Sequence, residues 1–379
     1  MPFSLYLHFP FCSNKCSYCD FYKELYDRSI EKRFFEALRI ETELAAEQFE
    51  SPDREIGTIF VGGGTPSLMN LDSFAGWLEQ VKRLFYLPAG IEFSVETNPE
   101  SVRLDNLKRL QELGVNRPVF GIQSFQTKLL KLLNRRHIPH HSQRAVYFAN
   151  VLGFTNFGVD IIFGLPGQTT RMLAKDLDQI IDMDPPHISF YQLTVEEGTP
   201  LAHKVESGES RIPDQELMLA MYRGGYDQLA EAGYVRYEVS SFAKPGFECR
   251  HNQSYWDGTE YLGLGPSAHS FVNGQRFLNV ENVDEYLDSL KAGKLPRVFD
   301  ESGQEERMVE AIMLGLRTSR GVSHASFARR FGQPLEDRLD NEQYNHLRES
   351  GHIIEDRTGI RLSEAGFYLA DEITRRLLK

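Results

Sequence analysis

Three of the four cysteines lie close together near the N-terminus. Cys12, Cys16 and Cys19 are spaced C-x3-C-x2-C, whereas Cys249 stands alone. A disulfide framework would distribute an even number of cysteines along the chain, so this spacing indicates a metal site. Thiolates are the usual ligands of iron–sulfur clusters, and three of them leave one iron of a four-iron cluster open to a bound molecule. The spacing therefore predicts a [4Fe-4S] cluster with one open iron.

A structural zinc ion is the alternative for the same cysteines, with His8 as the fourth ligand. Zinc sites usually combine paired cysteine knuckles at separated positions in the chain. The three cysteines here lie within eight residues. This compact spacing favours the iron–sulfur cluster over zinc.

Other residues suited to ligand binding occur at the ends of predicted strands. The run Gly62–Pro66 (GGGTP) follows the second strand, Glu96 follows the third and Gln123 follows the fourth. Asp160 lies within the fifth strand, and Thr194 lies just past the sixth. Since ligands bind at the C-terminal ends of parallel strands, we expect most of these residues to converge on one mouth of a barrel.

The elements that must position these residues alternate along the first 230 residues. The predicted strands are Leu5–His8, Thr58–Val61, Ile91–Val95, Pro118–Ile122, Gly158–Phe163 and Ile188–Leu193. The predicted helices are Ile30–Phe49, Leu71–Phe85, Leu104–Leu113, Ser142–Leu152, Arg171–Ile181 and Asp214–Ala232. Strands separated by helices of this length predict an α/β fold with a parallel sheet, here an incomplete (β/α)6 barrel.

The chain divides into three predicted parts. Residues 1–232 form the barrel core, and residues 233–299 form a linker or extension rich in Gly, Asn, Ser and aromatic residues. Residues 300–379 form a mainly helical, winged-helix-like module. Its predicted elements are the helices Glu305–Leu316, Ala325–Phe331, Glu342–Ser350 and Ala365–Leu378 and a hairpin over Ile353–Leu362. The module has 12 basic and 15 acidic residues, a net charge of −3, which favours packing or partner docking over DNA binding.

Composition excludes several classes of protein. The chain has 379 residues, 41% hydrophobic and 25% charged, which is ordinary for a globular protein and excludes disordered, collagen-like and coiled-coil chains. No apolar run is long enough to span a membrane, and the N-terminus is unlike a secretory signal. The net charge of −12 disfavours nucleic-acid binding. We therefore expect a cytosolic protein without a membrane anchor.

The cysteine motif resembles the signature of the radical S-adenosylmethionine (SAM) superfamily, as does Tyr18 before the last cysteine. The resemblance implies that the open iron binds the amino and carboxylate groups of the methionine moiety of SAM. It also implies that one-electron reduction cleaves SAM to a 5′-deoxyadenosyl radical. The cofactor would supply this chemistry, and the protein would supply placement and exclusion of side reactions.

A closer resemblance, to the coproporphyrinogen oxidase-like branch, runs essentially from end to end of the chain. The motifs that carry it are Tyr6–Cys12 (YLHFPFC), Cys19–Phe21 (CDF), Gly62–Pro66 (GGGTP), Gly121–Phe125 (GIQSF), Asp160–Thr169 (DIIFGLPGQT) and His251–Trp256 (HNQSYW). Taken singly, some of these runs have plainer interpretations, because a glycine run is also typical of a tight turn and a strand-end aspartate often caps a helix. Together with the cysteines they favour the family.

The resemblance implies a set of SAM contacts. Tyr6 would lie beside the cluster, and the backbone of Gly63, Gly64 and Thr65 would face the methionine end, where glycine permits close approach. Glu96 and Arg135 would bind the amino and carboxylate groups, the arginine through a charge-assisted fork. The remaining implied contacts are Gln123 and Asp160 at the ribose hydroxyls and Thr194 on the adenosine side.

Two functions compete within this branch. The oxygen-independent coproporphyrinogen III oxidases carry a fourth cysteine two residues after the third and a long segment before the cluster. Here that position is Phe21, and five residues precede Tyr6, so oxidase activity is not expected. These departures resemble the heme chaperone family, HemW-like proteins, which bind heme and pass it to apo-hemoproteins such as respiratory enzymes. The oxidase, and a radical SAM methyl or alkyl transferase acting on an unknown substrate, stay open as alternatives, as does whether the chain is an enzyme.

The same resemblance implies a heme site at HNQSYW. Imidazole is a standard axial ligand of heme iron, so His251 is the predicted ligand, with Tyr255 and Trp256 as flat apolar contacts. The alternative is a structural His–Asn turn with buried aromatic residues. Cys249 is predicted to be a buried inert thiol rather than a second ligand. His269 is close enough in sequence to His251 to share a site.

Three further histidines, His137, His140 and His141, flank Pro139. The proline and the polar neighbours favour an exposed loop over a metal site. The sequence does not identify the recipient hemoproteins or the oligomeric state, and a homodimer stays open.

Overall fold

The computed structural model describes residues 2–49 and 54–378, and its strands confirm the six predicted ones. The first eight are β1 (Phe3–Phe9), β2 (Phe11–Cys12), β3 (Glu24–Leu25), β4 (Ile56–Gly63), β5 (Glu92–Thr97), β6 (Arg117–Gln123), β7 (Gly158–Phe163) and β8 (His187–Gln192). Strands β1 and β4 to β8 pair in parallel in that order, whereas β2 and β3 form a short separate pair beside the cysteines. The parallel strands are largely buried on both faces, as crossover helices require.

Eight helices accompany these strands. They are α1 (Arg28–Ala46), α2 (Leu71–Leu84), α3 (Leu104–Glu112), α4 (Thr127–Leu132), α5 (Pro139–Val151), α6 (Thr170–Asp182), α7 (Pro200–Glu206) and α8 (Gln215–Glu231). Aspartate side chains cap α1 and α8, where Asp27 and Asp214 accept hydrogen bonds from first-turn N–H groups. The short helices α4 and α7 were not predicted, because six or seven residues carry too little periodicity to detect.

The exposed loop predicted around His137 is wrong. Pro139 is the first residue of α5, a position where proline loses no hydrogen bond. His137 is buried, and its Nε2 lies 2.9 Å from the carbonyl oxygen of Ile122. The ring therefore joins the start of α5 to the end of β6, and only His140 of the three histidines is exposed.

Residues 233–299 extend the sheet at both edges. Their elements are β9 (Val235–Glu238), β10 (Ser241–Ala243), α9 (Arg250–Asp257), β11 (Tyr261–Leu264), β12 (His269–Val272), β13 (Gln275–Asn279), α10 (Val283–Lys291) and β14 (Arg297–Phe299). Strand β10 pairs antiparallel with β8, and β11 pairs parallel with β1, which gives the twelve-stranded order β14-β13-β12-β11-β1-β4-β5-β6-β7-β8-β10-β9. Helix α9, which carries the HNQSYW motif, therefore lies in the connection between opposite edges of the sheet.

The C-terminal module has its own hydrophobic core, which includes Met308, Ile312 and Phe327. Its elements are α11 (Gln304–Leu316), β15 (Val322–Ser323), α12 (His324–Phe331), α13 (Asn341–Glu349), β16 (Ile353–Glu355), β17 (Gly359–Leu362), α14 (Glu364–Phe367) and α15 (Ala370–Leu377). The predicted hairpin is confirmed as β16 and β17, which join β15 in a three-stranded sheet. The predicted last helix is divided into α14 and α15.

None of the helices in the described ranges combines the length and the apolar character that crossing a membrane requires.

Candidate functional site

A cavity of about 370 Å³ opens where the parallel strands β1 and β4 to β8 end. All three clustered cysteines line it. So do all but one of the residues predicted to contact SAM, namely Gly63, Gly64, Thr65, Glu96, Gln123, Arg135, Asp160 and Thr194. The exception is Tyr6, which lines an inner chamber described below. The structure thus brings together residues from six strand ends, and we call this space the cluster cavity.

Two of the three thiols have hydrogen-bond donors from other parts of the chain. Thr65 Oγ1 lies 3.5 Å from Sγ of Cys12, and Nη1 of Arg135 lies 3.6 Å from Sγ of Cys16. Burial raises the pKa of the Cys12 thiol, and the Thr65 hydroxyl opposes this. A donor directed at sulfur stabilises the thiolate, which is the form that ligates iron.

The third thiol, on Cys19, has a cation beside it. Burial raises the pKa of this thiol, and the Lys23 ammonium acts against that rise. Lys23 Nζ is held in place by the carbonyl oxygens of Cys19 and Phe21, at 2.7 and 2.9 Å. Each of the three thiols therefore has a donor or a cation next to it. Three unpaired thiols in such surroundings fit a thiolate-ligated cluster.

The zinc alternative is not supported by the position of His8. Its Nε2 lies 3.0 Å from the carbonyl oxygen of Tyr22 and its Nδ1 lies 3.2 Å from the Tyr6 hydroxyl, so both ring nitrogens already have partners. In the two described ranges, no group of three or more His, Cys, Asp and Glu side chains is arranged to hold a single metal ion.

Two half-buried carboxyl groups, on Glu96 and Asp160, lie beyond the cysteines in the cluster cavity. Burial, followed by repulsion from Asp160, raises the pKa of Glu96 to about 8. Burial also raises the pKa of Asp160 to about 6, against a hydrogen bond from Ser189. The raised pKa values mean that the ionised form of each carboxyl group is destabilised in the empty cavity. A cationic group bound between the two would stabilise the ionised forms. An ammonium group has the charge that this end of the cavity requires.

Asn98 connects two sides of the cavity, and sequence reasoning missed it. Its amide nitrogen donates to Thr65 Oγ1 at 3.0 Å, and its Oδ1 accepts from Nη2 of Arg135 at 2.8 Å. The same guanidinium donates to the carbonyl oxygen of Gly121 at 2.7 Å. Asn98 directly follows β5, and this strand-end position was the signal available in the sequence.

The GGGTP run packs against the cysteine loop. The N–H groups of Gly64 and Thr65 donate to the carbonyl oxygens of Phe9 and Phe11, at 2.7 and 2.8 Å. A Cβ at position 64 would lie 2.6 Å from the Phe11 carbonyl oxygen, which explains why that position is glycine. The preceding residue, Gly63, has φ +103° and donates its N–H to Glu96 Oε2 at 3.2 Å. The run therefore fixes both the cysteine loop and a site carboxylate.

Gln123 ends β6 in a strained conformation. Its φ is +67°, unusual for a residue other than glycine, and the pairing register with β7 shifts there. Its Oε1 accepts a hydrogen bond from the Tyr191 hydroxyl at 2.9 Å. Tyr191 and Ser189, both on β8, line the cavity and were not predicted.

An inner chamber of about 260 Å³ lies inside the barrel next to the cluster cavity. Glu96 and Asp160 line both spaces, whereas Tyr6, His251 and Tyr255 line the inner chamber alone. Helix α9 closes the N-terminal end of the barrel there. Its first N–H groups, on residues 250 and 251, donate to the buried carboxylate of Glu92 at 3.0 and 2.9 Å.

His251 is fully buried in this arrangement. Its Nδ1 lies 2.8 Å from Thr58 Oγ1 and its Nε2 lies 2.8 Å from the Tyr255 hydroxyl. Burial lowers the pKa of the ring to about 3, so it is neutral at physiological pH. Coordination of iron by either nitrogen would require one of these hydrogen bonds to break. The motif forms a helix rather than a turn, and Trp256 does not line the chamber but faces a separate groove.

Neither of the two remaining residues of this region, Cys249 and His269, lines the inner chamber with His251. Cys249 is buried, with Sγ 3.6 Å from Glu92 Oε1, and burial raises the pKa of its thiol to about 12. His269 is exposed on β12 and does not line the inner chamber, so the expectation that it shares a site with His251 is wrong.

Comparison with known proteins relates two segments of the chain to described families. Residues 6–180 match the radical SAM superfamily, and residues 303–369 match the HemN C-terminal domain. A solved structure of coproporphyrinogen III oxidase (HemN) from Escherichia coli, described as a radical SAM enzyme, superposes with a TM-score of 0.85 at 23% identity. The superposition covers 99% of this chain and 89% of that chain, and it confirms the α/β barrel with its mainly helical C-terminal module.

Curated relatives match at higher identity. The heme chaperone HemW of Bacillus subtilis is 34% identical over 98% of this chain and 97% of its own length. HemW of Mycobacterium tuberculosis is 35% identical over 100% of this chain and 95% of its own length. HemW of Escherichia coli is 38% identical over 72% of this chain and 70% of its own length.

Proposed function

The chain belongs to the family of the heme chaperone HemW, in the radical SAM superfamily, and we propose that it binds heme and delivers it to apo-hemoproteins. The heme part of this proposal rests on the relatives, of which the Bacillus subtilis and Mycobacterium tuberculosis proteins match over 98% and 100% of this chain. The cofactor part rests on one structural observation. The cluster cavity combines three cysteines, each with a donor or cation beside it, and two half-buried carboxyl groups that favour a cationic ligand.

Within that proposal, Cys12, Cys16 and Cys19 hold a [4Fe-4S] cluster, and the cluster cavity binds SAM. When bound, the cluster would supply an open iron and an electron. Glu96 receives the amino group of the ligand because the carboxyl groups there need a cation. Arg135 is proposed to bind the carboxylate group of the ligand. Its Nε is buried and has no hydrogen-bond partner.

The other assigned contacts are proposals of the same kind. The positions carried over are Tyr6 beside the cluster, Gly63, Gly64 and Thr65 at the methionine end, Gln123 and Asp160 at the ribose, and Thr194 on the adenosine side. The N–H groups of Gly63, Gly64 and Thr65 are engaged within the protein, and the Thr65 carbonyl oxygen accepts from the Leu68 N–H at 2.9 Å. Any backbone contact with a ligand therefore falls to the carbonyl groups of the two glycines.

The proposed heme contacts are His251, Tyr255 and Trp256. Ligation of heme iron by His251 requires its ring to lose the hydrogen bond either to Thr58 or to Tyr255. The proposed recipients are hemoproteins such as respiratory enzymes. We propose a cytosolic location, since the four cysteines are all unpaired, as thiols are in a reducing compartment.

The cofactor proposal is tested by the iron and sulfide content of protein reconstituted anaerobically. The triple variant Cys12→Ala/Cys16→Ala/Cys19→Ala is expected to lose both, whereas Cys249→Ala, at the other end of the barrel, keeps them. Full iron content in the triple variant would contradict the ligand assignment.

The heme proposal is tested by anaerobic titration of the reconstituted protein with heme, followed by absorption, and then by mixing the loaded protein with apomyoglobin as a model acceptor. Saturable binding and transfer of the heme spectrum to the acceptor are expected. Absence of saturable binding would overturn the proposal. Turnover of coproporphyrinogen III with SAM and a reductant would instead support the oxidase alternative.

A further inference from the structure

A groove of about 410 Å³ lies between the end of α9 and the C-terminal module. We call it the joint groove. Its apolar walls come from both sides of the joint and include Trp256, Leu314, Val322, Phe327 and Phe331. The volume falls within the roughly 300–1,000 Å³ typical of small-molecule and cofactor sites, which are mostly apolar with a few polar groups. No part of the cluster cavity overlaps with it.

Among the described residues, Arg320 and Arg330 of the joint groove form no ion pair, although the carboxylates of Glu310 and Asp257 attract the Arg330 guanidinium from farther away. The lining also includes three carboxyl groups, on Glu248, Asp257 and Glu310. Arg276 pairs with Glu310 at 2.9 Å, and Asp257 accepts hydrogen bonds from the N–H and hydroxyl of Thr259. The groove therefore offers two guanidinium groups to an anionic ligand.

Arg330 is held in position without an ion pair. Its guanidinium carbon lies 5.6 Å from the ring centroid of Phe271 and 5.1 Å from that of Phe331. It packs against Gly258, which ends α9 with φ +74°, and a side chain at that position would overlap the guanidinium group. A fork held flat by aromatic rings has its N–H groups available for a carboxylate.

We infer that the joint groove binds the heme macrocycle, with Trp256, Phe327 and Phe331 against the porphyrin and with Arg320 and Arg330 pairing the two propionates. This inference rests on the proposed function and assigns its ligand to a place. Of the three heme contacts proposed above it keeps Trp256 and replaces His251 and Tyr255, which line the inner chamber and not the joint groove. The charges match, because heme combines a flat apolar body with two carboxylates, and the groove combines apolar walls with two arginines that form no ion pair. Trp256 reaches the groove from α9, on the side away from His251.

The lining of the joint groove also affects how readily heme would be released to an acceptor protein. None of its described lining residues is His, Cys or Met. Tyrosine can also ligate heme iron, but the hydroxyl of the lining residue Tyr237 is already engaged 2.8 Å from Nε2 of His187. Heme held by its face and its propionates keeps its iron available to the stronger ligand of an acceptor. Such a hold fits a protein that passes heme on rather than one that retains it.

The test is a heme titration of the reconstituted full-length protein and of the double variant Arg320→Gln/Arg330→Gln. The matched control is Arg329→Gln, because Arg329 is the exposed neighbour on the same helix and lies outside the groove. We expect at least a tenfold loss of heme affinity in the double variant and no change in the control. Trp256→Leu should also weaken heme binding. Arg330→Lys keeps the charge but loses the fork, so its heme affinity should lie between that of wild type and that of the single variant Arg330→Gln.

A second ligand separates charge recognition from general affinity. Heme dimethyl ester lacks the propionate charges, so wild type should bind it about as weakly as the double variant binds heme. Heme affinity unchanged in the double variant would overturn the groove assignment while leaving the proposed function intact. The groove assignment also fails if only His251→Ala weakens binding. No heme binding by wild type would instead remove the proposed function itself. Circular dichroism melts of the surface variants confirm that each one folds.

Discussion

Oδ1 of Asn98 accepts a hydrogen bond from Nη2 of Arg135 at 2.8 Å. Because the amide nitrogen of Asn98 also donates to Thr65, one side chain orients the donors of two cysteine sulfurs. These contacts form a continuous chain from Cys12 through Thr65, Asn98 and Arg135 to Cys16. Asn98 is thus a positioning residue that contacts neither sulfur.

Replacement of this amide should loosen the site without unfolding the protein. In Asn98→Ala the Arg135 guanidinium loses a charge-assisted hydrogen bond, and we expect SAM to bind about tenfold more weakly, which is about 1.4 kcal/mol. Isothermal titration of SAM into reconstituted protein measures this. Asn150→Ala, at an exposed position on α5, is the control and should bind SAM as wild type does. Wild-type SAM affinity in Asn98→Ala would show that Arg135 needs no such support.

The close approach of Gly64 to the cysteine loop predicts a second effect. In Gly64→Ala the new methyl group would meet the Phe11 backbone, so the loop must shift, and we expect a clear loss of bound iron after reconstitution. The control is Gly224→Ala, on α8, where a Cβ meets open space. That variant should keep its iron and gain up to about 1 kcal/mol of stability from helix propensity. Equal iron content in both variants would contradict the role given to Gly64.

The raised pKa of Glu96 predicts a stability that depends on pH. In the folded, ligand-free protein Glu96 keeps its proton up to a pKa of about 8, whereas a free glutamate loses it near 4.5. Between these values the native state binds more protons than the unfolded state, so raising the pH lowers the free energy of unfolding. Asp160 acts in the same direction between 3.8 and its raised pKa of about 6.

The corresponding measurement is the urea midpoint of ligand-free protein from about pH 6 to about pH 8, the window set by the pKa values of Asp160 and Glu96. The midpoint should fall across that range for wild type, and Glu96→Gln should flatten the slope because its amide does not titrate. Glu231→Gln, at an exposed position, should retain the slope. A slope that Glu96→Gln leaves unaltered would assign the pH dependence to other groups.

The buried ring of His251 predicts a cost in stability. In His251→Ala the Tyr255 hydroxyl loses its partner and a cavity is left beneath β4, so we expect a loss of about 3 kcal/mol in the free energy of unfolding. His269→Ala, at an exposed position, should stay within about 0.5 kcal/mol of wild type. Denaturant unfolding measures both. Equal stability of the two variants would show that the Thr58 and Tyr255 hydrogen bonds contribute little.

Local signals explain what could be predicted from the sequence. The six parallel strands are runs of buried apolar residues separated by amphipathic helices, and β7 has its predicted bounds, Gly158–Phe163. The convergence of the cysteines with Glu96 and Gln123 also followed from the predicted strand ends, because parallel strands present these ends at one edge. Asp160 reaches the same cavity from within β7.

Long-range pairing explains what could not be predicted. The flanking strands β10 and β11 lie on opposite edges of one sheet, and no local pattern in residues 233–299 distinguishes these edges. His137 has polar sequence neighbours, and its burial depends on the distant carbonyl group of Ile122. The two faces of α9 likewise depend on which elements pack against it, so the sequence of HNQSYW does not separate the residues of one face from those of the other.

Strand β1 is the first strand of the sheet to be synthesised, yet one of its two neighbours comes late. Leu5 pairs with Leu262 and Leu7 with Leu264, so about 250 further residues must be translated before that side is complete. At the usual rate of about 5–20 residues per second this takes on the order of 10–50 s. During that interval the growing chain carries an unpaired apolar strand edge, the kind of edge that other chains can join. The position of β11 thus makes completion of the barrel a late event in synthesis and gives molecular chaperones a defined target while the protein is being made.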